Sequence, residues 1–139
     1  MTKLLRSILF LMGLVIIWLG LNIGLGGIQT LGWQGATGFV DITDAATFAV
    51  QDNHTRFIAG VWTGVGVLFV AGAFALPHMR TVMFALIAMI FVGGVMRLTQ
   101  ADGSLLISSA IAPSLFAELI LFPLLGLWIF KTSGGQESA

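Results

Sequence analysis

Apolar residues gather along this chain into four blocks of nearly twenty, separated by stretches where polar residues, glycine and proline collect. A helix rises 1.5 Å per residue, so a block of about twenty spans roughly 30 Å of hydrocarbon. The pattern predicts membrane-crossing helices over about 7–25, 55–76, 81–100 and 114–130. Lys3 and Arg6 precede the first block. A basic start before an apolar run also describes a secretory signal peptide, but this run is too long for one and no A-x-A-like cleavage site follows, which favours a retained helix.

Two prolines punctuate the later blocks. Pro77 ends the second, because the residue before a proline avoids helical geometry, and "PHMR" then reads as a tight turn. Pro113 suits the first turn of the fourth, where early N–H groups need no partner. Between the first two helices lies an outer loop, 27–53, which contains Asp41, Asp44 and Asp52 but no Lys or Arg. Its scattered apolar residues, Trp33, Phe39, Val40, Phe48 and Val50, suit a segment lying on the membrane surface or capping the bundle. Within it "TDAATFAVQ" allows a short helix with Thr43 or Asp44 as N-cap, the plainer reading being an interfacial connector. A polar tail, 131–139, closes the chain.

Composition strengthens this reading. Of 139 residues 58% are hydrophobic and 9% charged, with a mean hydropathy of +1.03, whereas a soluble domain is about 25% charged. The expected fold is all-α: one domain, an integral membrane four-helix up-down-up-down bundle. An even number of crossings puts both termini on one side, with Lys3, Arg6, Arg80 and Lys131, opposite the acidic loop and Asp102. The positive-inside rule makes the basic side cytoplasmic, in the inner membrane, with both termini there. Zero net charge leaves no basic face for nucleic acid, and the absence of cysteine excludes disulfides, iron–sulfur clusters and thiol catalysis.

Three charges break the pattern: Arg56 just inside the second helix, Arg97 just inside the end of the third, and Glu118 one turn into the fourth. The threading brings all three to a similar depth near the outer boundary. Arg56 shares a helical face with Gly60 and Gly64, and Arg97 with Gly93 and Gly94. Small residues mark where membrane helices approach one another, so these four glycines are expected to pack helices and both arginines to face inward. Pro123 frees the carbonyl of Leu119 beside Glu118, which predicts a local kink.

An arginine at a helix centre costs about 2.5–3.5 kcal/mol on insertion scales, less near the ends. It stays protonated, and so needs an anion or water. Glu118 supplies one negative charge for two positives; Asp52, Asp102, water or a bound group must meet the remainder. Three readings follow. Arg56, Arg97 and Glu118 form an ion-pair clamp, with the arginines also able to anchor to headgroups; or they line a ligand-binding pocket for an anionic or polar group, such as a lipid headgroup or a small carboxylate; or Glu118 serves a proton or ion pathway. Against the last stands the lack of ionisable residues in the cytoplasmic halves of the helices.

The remaining residues add little chemistry. His54 and His78 fall on opposite faces of the membrane, so no shared metal or haem is expected, and no cofactor. "NHT" at 53–55 matches a glycosylation pattern but abuts the membrane too closely to serve as one. The 18 glycines, Gly20 and Gly24 among them, read as helix-packing residues, Trp128 as part of an aromatic belt, and Met79, Met83, Met89 and Met96 as packing filler.

At "DNHTRFIAGVWTGVG", "FVGGVMRLTQ" and "PSLFAEL" the chain resembles a bacterial family of small four-helix membrane proteins known only as a domain of unknown function, and more distantly the DoxX-type four-helix membrane proteins. The resemblance covers roughly residues 52 to 130 and carries over to Arg56, Gly93, Gly94, Arg97 and Glu118. It implies the same fold. The DoxX likeness also implies a quinone-linked redox role, by analogy of fold. The leading expectation is a non-enzymatic multi-pass protein that binds a headgroup of membrane lipid, or a partner subunit, through Arg56, Arg97 and Glu118. The alternatives are a quinone-linked accessory protein and a small transporter formed as a homo-oligomer through the glycine stripes.

Overall fold

Leu5, Leu9, Gly13, Ile16 and Gly20 recur every three or four residues, and all are buried on one face of the first helix. That helix, α1, runs Lys3–Gly26 and is followed by a single tight turn of helix at Ile28–Thr30. A computed structural model of the chain describes residues 3–30, 42–99 and 102–133, in which no strand occurs. The outer residues Trp33, Phe39, Val40 and Asp41, together with Gln100 and the tail from 134 onward, lie outside the described residues.

Helix α2 runs Ala45–Arg97, 53 residues. Short helices α3, Gly103–Leu106, and α4, Ala112–Phe116, follow. A π-helical turn, Ala117–Leu121, then joins α4 to α5, Phe122–Ser133. Among the described residues three helices are long and apolar enough to cross a membrane: Lys3–Gly26, Ala45–Arg97 and the continuous run Ala112–Thr132. Many large apolar side chains on them are exposed, Phe57 and Ile58 on α2 and Leu124 and Leu127 on α5 among them, as a lipid-facing surface requires.

Two boundaries differ from the expectation. Helix α2 starts at Ala45 and not near residue 55. Nothing in "AATFAVQDNH" breaks a helix, so the helix continues past the point where the apolar block ends. Around Pro77 the expected turn is replaced by one non-helical residue, Ala75 (φ −124°, ψ 31°), with helix on both sides. The break falls two residues before the proline, leaving Pro77 in the first turn of the resumed helix, where its missing N–H and fixed φ cost least.

The chain divides into two compact units, residues 7–73 and residues 1–6 with 74–139. In the first, α1 and the opening half of α2 run antiparallel: Gly13 lies against Gly66 and Val70, Gly20 against Ala59 and Thr63, and Gly27 against Asp52 and Arg56. Leu9, Phe69 and Ala73 are fully buried there. In the second, the later half of α2 runs antiparallel to the C-terminal helices, with Gly94 against Glu118 and Leu119, and Ile87 beside Gly126. Met83, Leu86, Ile87 and Ile90 form the buried stripe of α2, facing a core shared with Phe122, Leu125 and Ile129. Arg6 lies over the ring of Phe74 at 4.6 Å and Arg80 over that of Phe130 at 5.7 Å, bringing the start of α1 and the end of α5 to residues 74–80.

Aspartates cap two helix starts outside the crossing segments. Asp44 accepts from the backbone N–H of Ala46 at 2.9 Å and of Thr47 at 3.2 Å, and from the Thr47 hydroxyl. Asp102 caps α3 through Ser104 and Leu105. The Thr47 backbone and hydroxyl bonds, then Ala46, hold the Asp44 carboxyl below its ordinary 3.8; the Ser104 hydroxyl and backbone, then Leu105, do the same for Asp102. Each folded-state value lies below the unfolded one, so the capping contribution is complete above 3.8 and disappears as pH falls through that value and the lower folded one. The protection of the Ala46 and Thr47 amides against exchange, relative to the intrinsic rate at each pH, is therefore expected to fall on acidification below 3.8 in the natural protein, with that fall absent in Asp44→Asn.

Candidate functional site

Glu118 is the one buried charged residue among the described residues, 8% exposed. It sits in the π turn, whose Phe122 N–H donates to the carbonyl of Ala117, five residues back. The kink expected from Pro123 takes this form: a proline ring at 123 cannot satisfy Leu119, and the backbone widens by one residue per turn directly before it. Facing Glu118 is Gly94, where even a Cβ atom would stand 2.8 Å from Glu118 Cβ and 2.9 Å from Leu119 Cδ2. That close approach brings the end of α2 over the carboxylate. Arg97, one turn after Gly94, donates from Nε to Glu118 Oε2 at 2.8 Å.

The pair is unequal. Its carboxylate is 10% exposed and its guanidinium side chain 41%. One N–H of Arg97 is committed to Glu118, and the four on its terminal nitrogens have no partner among the described residues. Helix α2 ends at this residue, with Leu98 and Thr99 bonded back to Val95 and Met96 in a tighter turn. A buried carboxylate thus aims an arginine whose outer edge stays open, a geometry suited to bidentate contact with a carboxylate or phosphate.

Arg56 has a different role from the one its position suggests. Its Nε donates to Asp52 Oδ2 at 2.6 Å, one turn earlier in α2. Its Nη1 donates to the carbonyls of Gly24 at 3.1 Å and Leu25 at 2.7 Å, at the end of α1. The other carboxylate oxygen of Asp52 accepts from the Ile28 N–H at 2.7 Å. Between them lies Gly27, the one positive-φ residue among those described, at φ 81°, a backbone state that ends helices and favours glycine. Arg56 and Asp52 together therefore cap the C-terminus of α1. The cation meets carbonyls that the helix leaves unbonded, at the negative end of its dipole. Within one unit Arg56 pairs with Asp52, and within the other Arg97 pairs with Glu118.

The packing glycines also shift. A Cβ at Gly60, Gly64 or Gly93 would meet nothing within 4 Å among the described residues, whereas Gly94 is tightly faced. Close helix approach falls at Gly13, Gly20 and Gly66 instead. A Cβ on Gly13 would lie 2.8 Å from the carbonyl oxygen of Gly66, and one on Gly66 the same distance from that of Gly13. The sequence signal was present but of a different period: Gly13 and Gly20 on α1, and Ala59, Gly66 and Ala73 on α2, are small residues seven apart, two helical turns. The G-x-x-x-G of Gly60 and Gly64 lies on another face.

The chain belongs to the family described as Domain of unknown function (DUF4345), matched over residues 4–129. That match takes in α1 and the segment after it, which the three motifs do not reach. No curated protein and no solved structure matches the chain.

Proposed function

We propose that this member of the family is a non-enzymatic, multi-pass inner-membrane protein that holds an anionic headgroup, or the carboxylate of a partner, at Arg97, with Glu118 as the residue that orients it. The observation that carries this reading is the single Nε bond to a buried carboxylate, which leaves the outer edge of a 41% exposed guanidinium open. Arg56, occupied by two carbonyls and Asp52, supports the first unit and takes no ligand in this reading.

Four crossings support the placement. Helix α2 has 53 residues, about 80 Å at 1.5 Å each, far more than one crossing of roughly 30 Å. The break at Ala75 divides it into 45–74 and 76–97, each long enough for one crossing. Four spans put both termini on one side in an up-down-up-down bundle, and Lys3, Arg6, Arg80 and Lys131 make that side cytoplasmic. Arg97 then lies near the outer boundary, within reach of headgroups.

A headgroup-tagged photoreactive phosphatidylglycerol in proteoliposomes provides the test. Peptide mapping is expected to find label beside Arg97 and Glu118, reduced about fivefold in Arg97→Gln, the worth of one basic residue at an anionic surface. The double variant Arg97→Met/Glu118→Met replaces the pair by apolar side chains of similar length and should keep the fold. Label at this site undiminished in the folded double variant would reduce Arg97 and Glu118 to a latch between helices and remove the headgroup reading.

A further inference from the structure

Arg80 presents a second, unlike site. Its guanidinium lies over two rings, Phe84 at 5.6 Å and Phe130 at 5.7 Å, while its Nε is buried and has no hydrogen-bond partner among the described residues. Arg56 and Arg97, by contrast, each bond a carboxylate. Neither carboxylate described in the unit of Arg80 is free for it: Glu118 holds Arg97, and Asp102 caps α3. An aromatic face attracts a guanidinium without using any of its N–H groups, which lie in one plane as a rigid fork. A buried N–H without an acceptor is costly, and the cheapest remedy is an anion in that plane.

Its surroundings are of one sign. Lys131 directly follows Phe130, and Arg6 stacks on Phe74, six residues before Arg80. Lys3 lies one turn before Arg6 on α1. All four cations belong to the same unit. Arg80 as a whole is half-buried, with Nε its buried atom.

We propose that Arg80, lying over the rings of Phe84 and Phe130 in the unit that also carries Lys131, Arg6 and Lys3, is a binding site for the phosphate of an anionic phospholipid in the leaflet facing this basic end. Basic pockets at helix ends recognise phosphodiester headgroups through this combination of charge and fork geometry. Inorganic phosphate carries related chemistry, but the apolar rings and flanking spans suit a molecule whose phosphate is attached to acyl chains. The site is separate from Arg97 and stands whether or not Arg97 binds a headgroup.

The test uses the full chain in nanodiscs of phosphatidylcholine with a minor fraction of phosphatidylglycerol, counting retained phosphatidylglycerol by native mass spectrometry. Arg80→Gln is expected to lower retention about fivefold. Arg80→Lys, which keeps the charge and loses the fork, and Phe130→Leu, which keeps the arginine and loses one ring, are each expected to lower it by about two- to fivefold. Retention in Arg80→Lys equal to that of the natural protein would overturn the proposal in favour of diffuse surface attraction, as would unchanged retention in Arg80→Gln. Inorganic phosphate, exchanged for chloride at equal ionic strength, is expected to leave retention unchanged; displacement would assign the site to a soluble phosphate instead. Phe130→Leu retains every charge, so its result stands even if Arg80→Gln fails to fold.

Discussion

Gly66→Val is expected to separate α1 from the opening half of α2 and to cost the protein about 3 kcal/mol or more, the upper range for side chains forced into a packed contact. A Cβ at this position would stand 2.7 Å from the backbone nitrogen of Ile17 and 2.8 Å from the carbonyl oxygen of Gly13. Those neighbours are backbone, which cannot rotate aside as a side chain would, so one helix has to move. Gly13→Val meets the reciprocal obstacle at Gly66 and Val70. Membrane helices gain little from excluding lipid, and their association depends on close contact of this kind. Gly60→Ala and Gly64→Ala, by contrast, enter open space and remove an interior helical glycine. Thermal melting of helicity in mild detergent should show the two valine variants well below the natural protein and the two alanine variants at or above it. Equal losses in both sets would move the seam to the G-x-x-x-G face.

Arg56→Met should have the next largest effect on the first unit. It deletes two charge-assisted bonds to the carbonyls of Gly24 and Leu25 and leaves Asp52, 18% exposed, with the Ile28 N–H as its one described partner. Bonds to a charged group are worth about 1.5–3 kcal/mol each when buried; with the arginine 40% exposed, a total loss of about 2–3 kcal/mol is expected. Faster amide exchange through Leu25–Ile28, together with a lower melting temperature, would register it. Arg56→Met/Asp52→Leu should recover part of the loss, because the stranded carboxylate is removed with the cation. A double variant less stable than Arg56→Met would show that Asp52 holds Ile28 strongly enough alone.

Much of this architecture was legible in the residues. Apolar blocks locate the long helices because hydrocarbon thickness sets a length, and a length shows in composition. Arg97 and Glu118 were readable as neighbours because each lies a similar distance inside a helix end, and the structure joins them across Gly94. The role of Arg56 was less visible. Two of its partners are backbone carbonyls, which leave no trace in residue type, and Asp52 lies beyond the apolar block, where hydropathy does not show that the helix continues. Its spacing of four from Arg56 is nevertheless that of a helical ion pair. At Pro77 the residue types fit equally a turn or a helix start, and the choice depends on backbone angles at Ala75 that alanine does not announce.

The π turn at Ala117–Leu121 acts as a phase adapter. One additional residue in a turn rotates everything on one side of it by about 100° relative to the other. Phe122, Leu125 and Ile129 keep their inward orientation on one side, while Glu118 is brought to Arg97 within the adapter itself. Residues upstream of the turn thus follow a different angular reference from the core below. The number of residues between the start of α4 and Pro123 is therefore a quantised property of the chain: a single insertion or deletion there, though chemically mild, would redirect the one charge buried among the described residues without altering any residue that contacts it.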